Sequence, residues 1–355
     1  MKILHTADIH LREYGDKRWE TLQKLIEIGK NEGVEIFVIS GDLFDKGVNA
    51  ETLRPKIREI FSNNGFKIIL IPGNHDSESY KSGMYFGEDT FIITDLDRPF
   101  EYKDLVIYGL PFERMEGEKI LDKLRSLGRK LEPDKTNILL YHGELLDAFF
   151  SRRDFGDEGE ERYMPVKLSY FRDLNIRYVL AGHFHSKFNV WQLENGGYFV
   201  YPGSPISITK REVGQRKVNI FEVGKPPEGY LLDTPHFEEV VVELDPFEDK
   251  NPADTVKERL EKVPTSARII LTVKGYINSQ KIKMSETEVV ERLKEIIRDR
   301  CDKEDFKPEF RDIHTILEDN LFKSFKKKLE QADYDEEKKK QLLDLAIKAI
   351  IGART

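Results

Sequence analysis

The sequence predicts an α/β fold: a two-sheet core flanked by helices, then a small α+β module and a C-terminal helical hairpin. Three observations predict it. Apolar runs of strand length alternate with helically spaced segments over the first two thirds of the 355 residues. Strands then succeed one another without clear helices between them, which suggests a second sheet. Beyond Lys225–Pro226–Pro227–Glu228–Gly229, a plausible break, the composition changes.

Taken in order, residues 2–7 form a short strand pattern. Trp19, Leu22, Leu25, Ile26 and Gly29 mark a helix. The run 35–40 (EIFVIS) lies between Gly33 and Gly41 and reads as a buried strand. Leu53, Ile57, Ile60 and Phe61 mark a second helix that stops near Asn64–Gly65. The run 66–71 (FKIILI) is a third strand, halted by Pro72–Gly73. Further strands are expected at 105–108, 137–141, 177–181, 199–201 and 218–223, with a helix over 117–131.

In the smaller module, 239–244 and 268–273 read as strands, and 252–263 and 286–300 as helices. At the C-terminus Ile316, Leu317, Leu321, Phe325 and Leu329 line one helix. Asp333 with Glu336 resembles a capping box for another, which carries Leu342, Leu343, Ala346, Ile347 and Ile350 and ends at Gly352. The hairpin's apolar face would serve either its own chain or a partner.

Charged residues make up 34% of the chain and the formal net charge is −8, which argues against binding nucleic acid by bulk charge. Bound divalent cations would add positive charge locally. Basic pairs also occur at Arg152–Arg153, Lys210–Arg211 and Arg216–Lys217, where a solvated surface is the plain reading. The charged stretch from Asp147 to Pro165 reads as a surface loop that could border a substrate path. A single cysteine, Cys301, excludes an intrachain disulfide and a cysteine metal site. The polar first residues do not read as a signal peptide and no apolar run is long enough to span a membrane, so a cytoplasmic protein is expected.

The chemistry gathers at the strand ends. The first strand leads to Asp8-Ile9-His10, the second to Gly41-Asp42-Leu43-Phe44-Asp45 and the third to Gly73-Asn74-His75-Asp76. The strand NILLY leads to His142-Gly143, and RYVLA to Gly182-His183-Phe184-His185. Open α/β sheets place their sites at this edge. One Asp or His at a strand end is more often a capping residue than a ligand. Five of eight histidines falling at such ends is a far stronger signal. A mixed set of imidazole, carboxylate and amide donors suits two cations sharing a carboxylate. His5, His236 and His314 lie outside these motifs and read as structural.

In this order, the motifs D-x-H, G-D-x-x-D, G-N-H-D, H-G and G-H-x-H resemble the calcineurin-like metallophosphoesterase superfamily, over roughly residues 1–224. The resemblance implies that Asp8, His10, Asp42 and His185 hold one ion. Asp42 would bridge to a second, completed by Asn74, His142 and His183. His75 would act on the leaving oxygen as a catalytic residue, with Asp76 orienting it and Asp45 shaping the loop. The two ions are expected to be Mn²⁺, although Fe and Zn also fit the donors.

ILHTADIHL, the GDLFD box and Tyr201–Pro205 (YPGSP) are similar to the SbcD / meiotic-recombination-eleven branch of DNA break-repair nucleases. Arg12 departs from that branch, which often has Gly there. The branch implies a nuclease domain over 1–224, a capping and DNA-binding domain over 235–312, and a tail over 313–355 that docks on an SbcC-type coiled-coil ATPase. It also implies a homodimer, for which the helix carrying Leu53, Ile57 and Ile60 could supply the surface. The expected function is a DNA exonuclease and single-strand endonuclease in double-strand break repair. A phosphoesterase for small molecules, such as a cyclic-nucleotide phosphodiesterase or phosphatase, is the alternative that net acidity favours. Intact motifs argue against a non-catalytic scaffold.

Overall fold

A computed structural model describes residues 1–80, 84–148, 163–248 and 250–354. Arg152–Arg153 and most of the charged stretch 147–165 lie outside them. The chain divides into two compact units, Met1–Phe237 and Glu238–Thr355.

The first unit begins β1 (Lys2–Thr6), α1 (Lys17–Asn31), β2 (Ile36–Ser40), α2 (Ala50–Phe61), β3 (Lys67–Ile71). Next come β4 (Thr90–Ile92), β5 (Phe100–Tyr102), β6 (Leu105–Leu110), α3 (Glu118–Gly128), β7 (Thr136–His142) and β8 (Tyr178–Gly182). It closes with β9 (Asn189–Gln192), β10 (Tyr198–Tyr201), β11 (Lys217–Glu222) and β12 (Gly229–Leu231). One sheet has the order β12-β11-β1-β2-β3-β4 and the other β5-β6-β7-β8-β10-β9. β1 to β4 are mutually parallel, as are β6, β7, β8 and β10.

Ile3, Ile36, Val38 and Ile69 from the first sheet pack with Ile107, Ile138, Leu140 and Leu180 from the second. The outer face of the first sheet buries Leu22, Leu25 and Ile26 of α1 and Leu53, Ile57 and Phe61 of α2. The outer face of the second buries Ile120, Leu124 and Leu127 of α3. Strands buried on both faces are apolar along their middles, which is why β2 and β7 carry the apolar runs IFVI and ILLY.

Three expectations change here. Leu53 and Ile57 are buried in their own unit, so the stripe considered as a dimer surface is already used. The break at 225–229 is a turn joining β11 to β12, which pair antiparallel (Lys217↔Leu231), and the division falls at Phe237–Glu238 instead. Edge strands β4, β5, β9 and β12 were not expected.

The second unit has β13 (His236–Leu244, entered from the first unit), α4 (Pro252–Glu261), β14 (Ala267–Ile277), α5 (Ser279–Ile282), α6 (Glu286–Ile297) and β15 (Phe306–Asp312). It ends with α7 (His314–Leu317), α8 (Asn320–Glu330) and α9 (Glu336–Arg354). Its sheet has the order β13-β14-β15 and packs Val242, Leu271 and Val273 against Val256 and Leu260 of α4 and Val289 and Leu293 of α6. Ser285 and Glu288 form a capping box that starts α6.

The terminal helices pack on their own unit. Ile313, Ile316, Phe322 and Ile347 form a core with Phe247 and Tyr276. Leu321 and Leu345 point outward, 72% and 60% exposed. The cap of α9 is Asp335, whose Oδ1 accepts Lys338 N–H at 2.7 Å, rather than Asp333. Gly352 lies inside α9 rather than ending it.

Candidate metal centre

The C-terminal ends of β1, β2, β3, β7 and β8 meet at one edge of the two-sheet sandwich. The structure brings all seven expected ligands together there. Asp8, His10, Asp42, His142, His183 and His185 are buried. His10 Nε2 and His185 Nε2 face each other at 3.2 Å. Asp42 Oδ2 lies 3.8 Å from His10 Nε2 and 3.3 Å from His142 Nε2. Asn74 Oδ1 lies 2.8 Å from His142 Nε2 and 3.2 Å from His183 Nδ1. Donor atoms of Asp8, His10 and His185 are mutually close enough to hold one cation, as are those of Asp8, Asp42 and His142.

The backbone is bent to achieve this. Asp8, His10, Asp42 and His183 have φ of 55°, 52°, 51° and 92°, a region that side-chain-bearing residues avoid. Two glycines are required by space. A Cβ on Gly41 would collide with the His142 ring, and one on Gly73 with the Asp42 carboxylate. His142 Nδ1 hydrogen-bonds Ser40 O at 2.8 Å, which turns Nε2 toward Asp42 and Asn74.

Burial raises the Asp8 carboxyl, and the neighbouring Asp42 adds to this against the pull of His185 and His142. Burial acts the same way on Asp42, but His142, His10 and His75 outweigh it and hold the carboxyl well below the ordinary range. Burial depresses His142, yet Asp42 and Asp8 push it up to about 9. Asp42 Oδ2 is buried without a hydrogen-bond partner among the described residues. An orphaned carboxylate oxygen between two imidazole nitrogens is costly unless a cation completes it. The donor set of carboxylate, amide oxygen and imidazole fits a pair of divalent cations.

His75 stands at the rim, 20% exposed at its side chain, with its ring edge-on to His10 at 4.7 Å. Its orienting partner differs from the sequence expectation. Asp76 Oδ1 accepts Gly73 N–H at 2.7 Å, and Oδ2 accepts Phe44 N–H and the Tyr80 hydroxyl, each at 3.2 Å. Asp76 therefore staples the loop, and burial and Asp42 push its carboxyl up to about 7. The carboxylate beside His75 Nδ1 is Asp45, at 3.4 Å, and it also lies 3.5 Å from His10 Nδ1. Arg18 Nη1 anchors Asp45 at 2.9 Å and Arg12 does so from the other side. Burial opposes ionisation of Asp45, but the neighbouring His10 and His75 rings and the Arg12 guanidinium hold it far below the usual carboxylate range.

The calcineurin-like phosphoesterase model matches residues 1–187, more than half of the chain. The chain belongs to the calcineurin-like phosphoesterase family. Members of this metallophosphoesterase family are metal-dependent hydrolases with a dinuclear centre. Two curated relatives are both named DNA double-strand break repair protein Mre11. The one from Saccharolobus solfataricus is 24% identical over 233 residues, and the one from Sulfurisphaera tokodaii 29% over 231. Each match covers 60% of this chain and 56% of the relative, so the chain spans little more than half the relatives' length. Among solved structures, a dimetal phosphatase from Danio rerio matches at 12% identity and TM-score 0.41, covering 62% of this chain and 91% of that one. A 5'-nucleotidase precursor from Thermus thermophilus matches at 12% and 0.38, covering 65% and 54%.

An open cleft of ≈ 430 Å³ lies over the phosphoesterase site, lined by His10, Asn74, His75 and His185 and flanked by Lys46 and Arg114. Neither Lys46 nor Arg114 has an ion-pair partner among the described residues. Sequence reading passed over both, because a single cation in a loop carries no signal until the cleft is seen. It read Asp45 as a loop residue, although its place three residues after Asp42, on the same strand end, was the available clue.

Proposed function

We propose that this chain is a Mn²⁺-dependent DNA nuclease of double-strand break repair, cutting phosphodiester bonds as an exonuclease and single-strand endonuclease. The observation that carries it is the convergence of seven metal-type donors beneath a cleft flanked by Lys46 and Arg114, which have no ion-pair partner among the described residues, in a chain related to proteins named for break repair. A polyanionic substrate would satisfy Lys46 and Arg114, whereas a small ester reaches only the centre.

When bound, two divalent cations supply a strong nucleophile from water at neutral pH and neutralise charge on the phosphoryl oxygens. Asp8, His10 and His185 would hold one, and Asn74, His142 and His183 the other, with Asp42 available to both. Asp45 holds Nδ1 of His75, so the opposite nitrogen is presented to the leaving oxygen and donates a proton to it. Asp76, Gly41 and Gly73 keep the strand ends in place. Residues 235–312, most of them in the second unit, are the DNA-capping part. Residues 313–355 dock on a coiled-coil ATPase through the outward side chains around Leu321 and Leu345, and the nuclease works as a homodimer.

The test offers purified protein with Mn²⁺ linear duplex DNA, single-stranded DNA and a generic phosphodiester. DNA cleavage that disappears with His75→Ala supports the proposal. Cleavage of the small ester alone would replace it with the small-molecule reading.

A further inference from the structure

The loop from Pro202 to Arg216 joins β10 to β11 and contributes none of the seven donors, yet it is tied to their strand ends. Ser204 N–H donates to His185 O and Ser204 Oγ to Asp8 O, each at 3.0 Å. The buried guanidinium of Arg216 donates to Ser204 O at 3.0 Å, to Ser186 O at 2.8 Å and to His185 O. Within this loop Glu212 is 0% exposed. Its Oε2 accepts Ile208 N–H at 2.8 Å, and its Oε1 accepts the Thr209 hydroxyl at 3.2 Å. The same Oε1 lies 3.5 Å from His185 Nδ1. The other ring nitrogen of His185 is the one that faces His10 and Asp8.

A buried carboxylate is retained only where its oxygens are both engaged. Here one oxygen is held by a backbone N–H, a donor that cannot rotate into an acceptor. The other accepts the Thr209 hydroxyl and also faces His185 Nδ1, which is buried without another hydrogen-bond partner among the described residues, so it can accept there only if Nδ1 carries the proton. Only a carboxylate can accept at both ends. A glutamine would keep its oxygen on Ile208 and turn its NH₂ toward His185, demanding the proton on Nε2, where it would block a cation.

We propose that Glu212 is the positioning residue for His185. It fixes the proton on Nδ1 and aims the Nε2 lone pair at the cation shared with Asp8 and His10. Arg216 and Ser204 hold the loop at the distance this needs. The inference rests on the proposed cation site, and partners of this kind are worth roughly 10- to 100-fold in metal affinity.

The experiment titrates Mn²⁺ calorimetrically into metal-free full-length chain, as wild type, Glu212→Gln and Glu212→Ala. The expected result is a loss of about 10- to 100-fold in affinity for one of the two ions, equally severe in both variants. Glu212→Gln keeps the loop's own hydrogen bond, so its metal-free melting temperature should stay with the wild type. If Glu212→Gln binds both ions as the wild type does and only Glu212→Ala is weakened, Glu212 is a loop staple and the proposal is overturned. Should Glu212→Gln fail to fold, ¹⁵N-histidine spectra of the Zn²⁺-loaded wild type decide. His185 protonated on Nδ1 supports the assignment, and His185 protonated on Nε2 overturns it. A wild type that takes up no ion overturns the cation site itself, an outcome separable because no variant is needed to see it.

Discussion

Single residues at this site divide into those that hold charge and those that aim it. Asp42 belongs to the first kind: its Oδ2 is orphaned between His10 and His142, and its Oδ1 accepts His75 N–H at 2.9 Å. His75 belongs to neither cation group with Asp8 and shares a possible third group only with His10 and Asp45. His75→Ala should therefore lower kcat by about 10²- to 10⁴-fold with two ions retained, whereas Asp42→Asn should lose metal and activity together. Elemental analysis beside kinetics checks this, and a metal-free His75→Ala protein would refute the role. His5 gives a prediction away from the site. Burial lowers its pKa to about 3, opposed only in part by the Ala181 backbone, against roughly 6.5 when unfolded. The unfolded chain then takes up the proton first, so this stability is complete above about pH 6.5 and is lost as pH falls toward 3. Between pH 7.5 and 5 the loss should be about 2 kcal/mol, and urea unfolding of His5→Leu should show a pH slope shallower by that amount. The ligands were legible because each lies at or just beyond the end of a strand and most adjoin a glycine. Asp45 as a partner of His75, and Glu212 as a partner of His185, were not. Their contacts span 30 and 27 residues and exist only once the loops are folded.

Elements whose burial dictates their composition were the readable ones. β2, β3 and β7 lie between apolar layers and announce themselves by the apolar runs IFVI, IILI and ILLY. β4, β9 and β12 are three- or four-residue edge strands, half-exposed or fully exposed, and their pattern is too short to stand out. Helix ends were legible to within a turn, but caps depend on side-chain direction. α9 is the case in point: the sequence pattern points to Asp333, and it is Asp335 that reaches the first turn, accepting Lys338 N–H. Asp335→Ala should cost the second unit about 1 kcal/mol, while Asp333→Ala should stay within about 0.5 kcal/mol of the wild type. Equal effects in denaturant titrations would mean the helix starts a turn earlier.

At the scale of the whole molecule, the arrangement of strands decides what the cations can stabilise. Asp8, Asp42 and Asn74 come from the sheet of β1, β2 and β3, while His142, His183 and His185 come from the sheet of β7 and β8. Both cation clusters that include Asp8 draw donors from the two sheets, so occupancy ties together the two halves of the first unit. The second unit has separate cores around Leu271 and around Phe322 and contributes none of the seven donors. Metal binding should thus stabilise one unit alone. Each ion at a hundredfold excess over its Kd adds about 2.7 kcal/mol, and two add about 5 kcal/mol. For a unit of 237 residues that corresponds to a rise of roughly 10–20 °C in melting temperature. Calorimetric scans with Mn²⁺ and with a chelator should show two transitions, of which only the first unit's moves. A single transition that shifts as a whole would mean the units melt as one body, and two transitions moving together would place a cation ligand in the second unit.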